Sequence, residues 1–170
     1  NLYCDSLKYD GNTKISKLLS NVRFRDNEYL LLTDSLEYNN NNSIGQYKNW
    51  AEISAINSNV KLTSKKGYYH SQSKIFYFKD SVHVIDENYE LNADRLEFRT
   101  LTESAHFHGP TVIHLDSTVV HCTKGIYHSP PQDVQLWNGA TIMEPERTLF
   151  ADSLYYNQKL DIGEGFCNVK

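Results

Sequence analysis

A repeat of about thirty residues runs the length of this chain and constrains its fold more than any other feature. The segment Leu91-Asn92-Ala93-Asp94-Arg95-Leu96-Glu97-Phe98 recurs with substitutions at Leu2 to Tyr9, Leu31 to Tyr38 and Leu149 to Tyr156. Weaker copies run from Lys61 to Tyr68 and from Val120 to Tyr127. The acidic column reads Asp5, Asp34, Ser64, Asp94, Thr123, Asp152, with steps of 29, 30, 30, 29 and 29 residues. An aromatic column closes each copy at Tyr9, Tyr38, Tyr68, Phe98, Tyr127 and Tyr156. A second half-motif follows each copy, at Asn21-Val22, Glu52-Ile53, Ser81-Val82, Thr111-Val112, Thr141-Ile142 and Asn168-Val169, clearest in the first and last. Gly109-Pro110 and Asn138-Gly139 introduce two of these elements and mark a turn or bulge.

Within a segment the apolar period is two, the period of a strand. Leu91 and Ala93 share one face, whereas Leu96 and Phe98 have the opposite parity, so the apolar side switches at Asp94. A bulge or sharp bend makes such a switch. The same switch at Asp34 and Asp152 predicts long strands bent at the acidic column, folding one sheet into two facing layers. No window holds a helical pattern, and twelve Tyr with seven Phe suit strands. Two strands per repeat advance a sheet by roughly 10 Å, so six repeats make an array on the order of 55–60 Å long. The expected core is the ~10 Å layer between packed sheets, or, if the layers splay, a continuous apolar groove.

Charge and motifs narrow the function. With 17 basic and 21 acidic residues the net charge is -4, which argues against a broad nucleic-acid footprint. The longest strongly apolar run, Tyr29 to Leu32, is far short of the ~20 residues of a membrane-spanning helix. No linker-like stretch interrupts residues 1–170, so one domain is expected, cut or processed from a longer chain since it opens at Asn1. No nucleophile elbow, catalytic Ser-His-Asp order or paired-carboxylate cluster stands out, and no catalytic residue or cofactor is expected.

Other groups read as structural. His106, His108, His114, His121 and His128 lie near Cys122, yet no thiolate or carboxylate recurs at zinc-like spacing, and no metal is expected. Cys4 and Cys122 share a small-residue column with Thr33, Thr63, Ala93 and Ala151, four repeats or roughly 40 Å apart, beyond disulfide reach. Cys167 aligns with Ala140, and all three cysteines read as small buried side chains. Lys65, Arg95 and Lys124 follow the acidic column in three successive copies. They form either a ladder for phosphate and sugar groups or ordinary charged protection of a sheet surface. Gly67 and Gly125 accompany the loss of Asp in copies three and five, where a different bend is expected.

The recurring Leu-x-Ala-Asp-x-Leu-x-Tyr type segment, best seen at Leu91 to Phe98 and Leu149 to Tyr156, with the Asn-Val element at Asn21-Val22 and Asn168-Val169, resembles the OstA-like (LptA) family along essentially the whole chain. The resemblance implies an all-β, open antiparallel β-jelly roll of V-shaped cross-section, with two facing sheets. It implies a periplasmic, non-enzymatic lipopolysaccharide carrier that shields lipid A acyl chains between its layers. Such proteins stack end to end by edge-strand pairing with further transport components, bridging from the inner to the outer membrane. Candidate groove residues are Leu32, Leu36 and Tyr38 in the second copy, and Ala93, Leu96 and Phe98 in the fourth. Leu149, Ala151, Leu154 and Tyr156 follow from the sixth, with Val22, Val82, Val112 and Ile142 from the second half-motifs. The competing readings are a structural or adhesion repeat module with a sealed core, and a polysaccharide-acting β-helix enzyme.

Overall fold

A computed structural model describes residues 1–25, 28–128, 133–157, 159–160 and 162–166. All of its regular structure is β. The first strands are β1 (Leu2–Tyr3), β2 (Ser6–Asp10), β3 (Ile15–Arg25), β4 (Tyr29–Asn39) and β5 (Ile44–Tyr47). Next come β6 (Ala51–Ala55), β7 (Lys61–Ser64), β8 (Lys66–His70), β9 (Ile75–Ile85) and β10 (Glu90–Arg99). The last are β11 (Ser104–Leu115), β12 (Thr118–His128), β13 (Asp133–Met143), β14 (Thr148–Asn157) and β15 (Ile162–Phe166). These fifteen strands form one sheet with antiparallel pairing between neighbours in sequence or across a repeat. β1 and β2 lie at one end of the array and β15 at the other.

Each long strand changes face at its middle. Between β9 and β10 the pairing runs Ala93 with Val82, then Arg95 with Lys79, so Asp80 and Ser81 stand opposite Asp94 alone. The same excess occurs at Ser20-Asn21 in β3, Gly109-Pro110 in β11 and Asn138-Gly139 in β13. The extra residues are left-handed, with φ of 61° and 53° at Ser20 and Asn21, 63° and 56° at Asp80 and Ser81, 85° at Gly109, and 62° and 83° at Asn138 and Gly139. Asn, Asp and Gly tolerate that conformation, whereas other L residues are disfavoured there by about 1–2 kcal/mol. The bend expected at the acidic column is thus built mainly by the partner strands, and the acidic residue sits opposite it.

The bends align into a crease that crosses the sheet, lined inside by small side chains. Val22 pairs with Thr33, Thr33 with Ala51, and Ala51 with Ser64. Further along, Val82 pairs with Ala93, Ala93 with Thr111, Thr111 with Cys122, and Ala140 with Ala151. All are buried. Small residues let the two halves of the sheet turn towards each other without collision. Ser64, which the acidic column assigned to the bend, is 0% exposed and occupies the small inner position instead of Thr63. The strand breaks just beyond it, at Lys65, between β7 and β8.

A bulge frees backbone carbonyls from the ladder, and crease hydroxyls bind several of them. Thr33 Oγ1 donates to the Trp50 carbonyl at 2.8 Å, Ser64 Oγ to Lys66 at 3.2 Å and Thr111 Oγ1 to Gly109 at 3.1 Å. Thr123 Oγ1 donates to Asn138 at 3.1 Å. Away from the crease, the halves bury Phe76, Phe78, Val84, Leu91, Leu96, Phe107, Leu136 and Leu154 in one apolar cluster.

Gly67 and Gly125 make room for rings from neighbouring strands. A Cβ on Gly67 would lie 2.6 Å from Tyr47 Cζ, and one on Gly125 would collide with Phe107 and lie 2.8 Å from Leu136 Cδ2. These glycines therefore serve ring packing, whereas the bends lie elsewhere. Gly125→Ala should lower stability by about 1–3 kcal/mol through overpacking, and Gly45→Ala, which meets only ordinary contacts at 3.4 Å and beyond, should cost less in the same urea titration. Thr111→Val keeps the shape but removes the hydrogen bond to the Gly109 carbonyl, and should cost about 0.5–1.5 kcal/mol in that assay.

Candidate functional site

The inner face of the folded sheet gathers the buried apolar residues of successive strands into one cluster. It arises because the parity switch at the crease returns the apolar residues of both half-strands to the same side. Leu91 and Ala93 precede the switch in β10, Leu96 and Phe98 follow it, and all four point inward. In β14, Leu149 and Ala151 precede the switch, with Leu154 and Tyr156 beyond it. Val22, Leu36, Val82 and Ile142 lie on this face too. Tyr38 shares it, its Cδ2 lying 3.4 Å from where a Cβ on Gly45 would stand.

Two groove candidates fall on the other side. Leu32 pairs with Arg23 and Glu52 on the outer face, whereas its neighbours Leu31 and Thr33 are buried. Val112 pairs with Asn92 and His121, between buried Thr111 and Ile113. The physical reason is register. In β11 the strand resumes at Thr111, one residue before the Val of the sequence motif, so the Asn-Val likeness and the pleat disagree there. Counting from the bulge would have found Thr111 and Ile113.

Sequence reasoning also missed the contact that joins the two halves at their far edge. Tyr29, at the start of β4, sets its ring edge-on to Phe76 and Phe98 of the opposite half, at centroid distances of 5.6 and 6.2 Å. Tyr69 stacks on Phe76 at 4.1 Å. Tyr89, between β9 and β10, is also withdrawn from water, and burial with the nearby Asp86 and Tyr127 pushes its hydroxyl up to about 12. At Tyr47 burial does the same, to about 12, against the opposing hydrogen bond with Ser64. The halves are closed over the middle of the array. At its ends apolar side chains are uncovered, with Leu7 at 60% and Tyr9 at 56% exposure in β2, and Ile162 and Phe166 at 48% in β15.

The cationic candidates lie on the outer face or in its breaks. Arg95 is paired in register with Lys79 and His108, and His108 with Lys124, so a basic row crosses adjacent strands just beyond the crease. Lys66, not Lys65, joins it, opposite Lys79. Like charges directly opposite destabilise a sheet, and the bend carboxylates offset them. Asp80 accepts from Lys66 at 2.6 Å and Asp94 lies 3.4 Å from Arg95. The Lys66 hydrogen bond, with Lys79 and Lys65 near, holds the Asp80 carboxyl below its usual range.

The histidines lie among ordinary partners. His83 meets Glu90 and His128 meets Asp133, each at 2.8 Å, while His106 meets Ser104 at 3.2 Å. Burial is the main cause that holds His106 below the ordinary histidine range. Among the described residues no group of His, Cys, Asp or Glu is arranged to hold a metal ion. Cys4 and Cys122 are free thiols, and burial raises Cys122 to about 11. Cys4 is half-buried, and Cys167 lies outside the described residues. No described helix is long and apolar enough to cross a membrane.

An all-β sheet folded on a repeating crease, with its apolar columns turned inward, defines a β-jelly roll. Residues 1–94 match the family described as OstA-like protein, and the chain belongs to that family. The fold is similar to the crystal structure of LptH from Pseudomonas aeruginosa, described as the LptA homologous periplasmic component of the conserved lipopolysaccharide transport device. That match has a TM-score of 0.57 at 12% identity and covers 64% of this chain and 80% of LptH. No curated protein matches the chain.

Tyr29 is the side chain to remove if the halves are to part. Tyr29→Ala should lower stability by about 1–3 kcal/mol through the lost ring contacts. It should also raise the fluorescence of added 1-N-phenylnaphthylamine, as Phe76 and Phe98 become accessible; unchanged dye binding would place the opening elsewhere.

Proposed function

We propose that this protein is a periplasmic component of lipopolysaccharide transport, a carrier and not an enzyme, whose inner apolar face takes up lipid A acyl chains. The observation that carries the reading is the inward apolar column repeated in successive strands across the array. It is supported by membership of the OstA-like family and by the likeness to LptH. Each methylene withdrawn from water contributes about 0.8 kcal/mol, so a long column of modest side chains binds several acyl chains without a specific polar constellation. Leu36, Leu96, Phe98, Leu154 and Tyr156 are the proposed acyl contacts. The outer position of Arg95 and Lys124 argues that they are not the groups that meet lipid phosphates at an opening between the halves.

Residues 1–170 act in this reading as one domain of about six repeats. The uncovered apolar side chains of β2 and β15 support end-to-end pairing, with another copy or with a further transport component, by strand addition. Such a contact is heterologous and does not close on itself, so it builds a bridge. A second reading, a structural repeat module with a sealed core, is favoured by the ring contacts of Tyr29.

Photocrosslinking to lipopolysaccharide separates the two. A photoreactive residue at Phe98, on the inner face, should give an adduct, and one at exposed Arg95 in the same strand should give little. Leu96→Asp should abolish the Phe98 adduct. Equal labelling at both positions, or at neither, sinks the carrier reading and leaves the sealed module.

A further inference from the structure

The crease places a left-handed residue once per repeat, and its occupants are Ser20-Asn21, Asp80-Ser81, Gly109 and Asn138-Gly139, residues small or polar enough for the position. In the second copy the place is taken by Trp50, at φ 44°. Its backbone is held on both sides, the N–H donating to the Lys65 carbonyl at 3.0 Å and the carbonyl accepting from Thr33 Oγ1 at 2.8 Å. The indole is driven outward and is 54% exposed. Among the described residues no ring stacks on it and no group hydrogen-bonds its indole nitrogen. A large aromatic side chain is therefore kept in a strained conformation and in water, where Asn or Gly would serve the bend better. Lys14, Lys74 and Glu103 also take left-handed angles, but in hairpin turns, so the exposed indole at the crease is what sets Trp50 apart.

The surroundings indicate what it meets. Two adjoining depressions of about 430 and 480 Å³ flank the indole, and both are lined by Trp50 and Thr63. Leu32 and Val112, the outward apolar residues of the previous subsections, lie one in each. Asn21 and Glu52 add polar groups to the first, His83 and Asn92 to the second. The first depression carries one basic group, Arg23, against two acidic ones, Asp34 and Glu52, so an anionic ligand is disfavoured there. The site sits in mid-sheet, where neighbouring strands already pair, so an extended peptide cannot add as a strand. An amphipathic ring fits best, with one apolar face for the indole and a rim of hydroxyls for amide, hydroxyl and carboxylate partners.

The geometry points to a binding site for a neutral oligosaccharide on the outer face, with Trp50 as the stacking platform between two sugar subsites. The depressions reach the crease residues Val22, Thr33, Ala51, Val82 and Ala93, but none of the proposed acyl contacts lines them, so the site does not rest on that reading. Saturation-transfer NMR and calorimetry with chitotetraose, maltotetraose and cellotetraose test it. At least one sugar should show saturation concentrated on ring protons and a measurable Kd. Trp50→Gly should weaken that binding at least tenfold while leaving the unfolding midpoint equal to or above that of the unaltered protein. Trp137→Phe, at the chain's other tryptophan, should leave it unchanged. The proposal is overturned if none of the three sugars binds, if Trp50→Gly retains binding, or if that substitution lowers the midpoint by several degrees, which would make the indole a structural group. Binding of a proline-rich octapeptide in their place would overturn it as well.

Discussion

Everything in this sheet depends on the left-handed bulge that recurs in register from strand to strand. It inserts an extra residue into one strand, reverses which side chains point inward, and turns the two half-strands towards each other. Its cost is local, in disfavoured backbone angles and in carbonyls removed from the ladder. The chain offsets both with the residues beside it. Asn21, Gly109, Asn138 and Gly139 tolerate the backbone, and the hydroxyls of Thr33, Ser64, Thr111 and Thr123 bind freed carbonyls. Small side chains then become compulsory inside the bend, which is why Ala51, Ala93, Ala140 and Ala151 are aligned there.

The same device separates the two faces chemically. Inside, the apolar residues of both half-strands are gathered on one surface, and the crease hydroxyls of Thr33, Ser64 and Thr111 are each bonded to a backbone carbonyl. Outside, the bend brings acidic residues beside a basic row, so that Asp80 and Asp94 offset charges that adjacent strands would otherwise oppose directly. A single backbone irregularity thus yields an apolar inner surface and a charge-balanced outer one, and repetition extends both along the array.

Much of this was legible because strand periodicity and the thirty-residue repeat are both one-dimensional. The parity switch at Asp94 located the bend and put Leu96 and Phe98 on the same side as Ala93. What failed depended on which strand carries the extra residue, a property of pairing that no single segment displays. In β11 the motif valine at Val112 follows the bulge by a different count from Val22 in β3, so likeness of letters misled where the pleat decides. Leu32 failed because a run of three leucines, Leu30 to Leu32, hides the alternation that Thr33 and Leu31 obey. Gly67 and Gly125 read as altered bends because the rings that need their space, Tyr47 and Phe107, come from other strands.

Closure of the halves bears on how such a surface binds anything. Side chains that meet across the middle, Tyr29 on Phe76 and Phe98 above all, satisfy the inner face without a ligand. On the proposed carrier reading an acyl chain must therefore replace protein contacts, and it would shift the halves apart only by as much as it prefers the open arrangement. If the lost ring contacts amount to about 1–3 kcal/mol, a few methylenes at about 0.8 kcal/mol each are enough to offset them. On that reading a shorter chain would gain too little to part the halves, while a long one would have a surplus that grows with each methylene buried. On the carrier reading, closure of this kind would make the face selective for length without any residue that measures it, and it keeps the inner apolar surface from water.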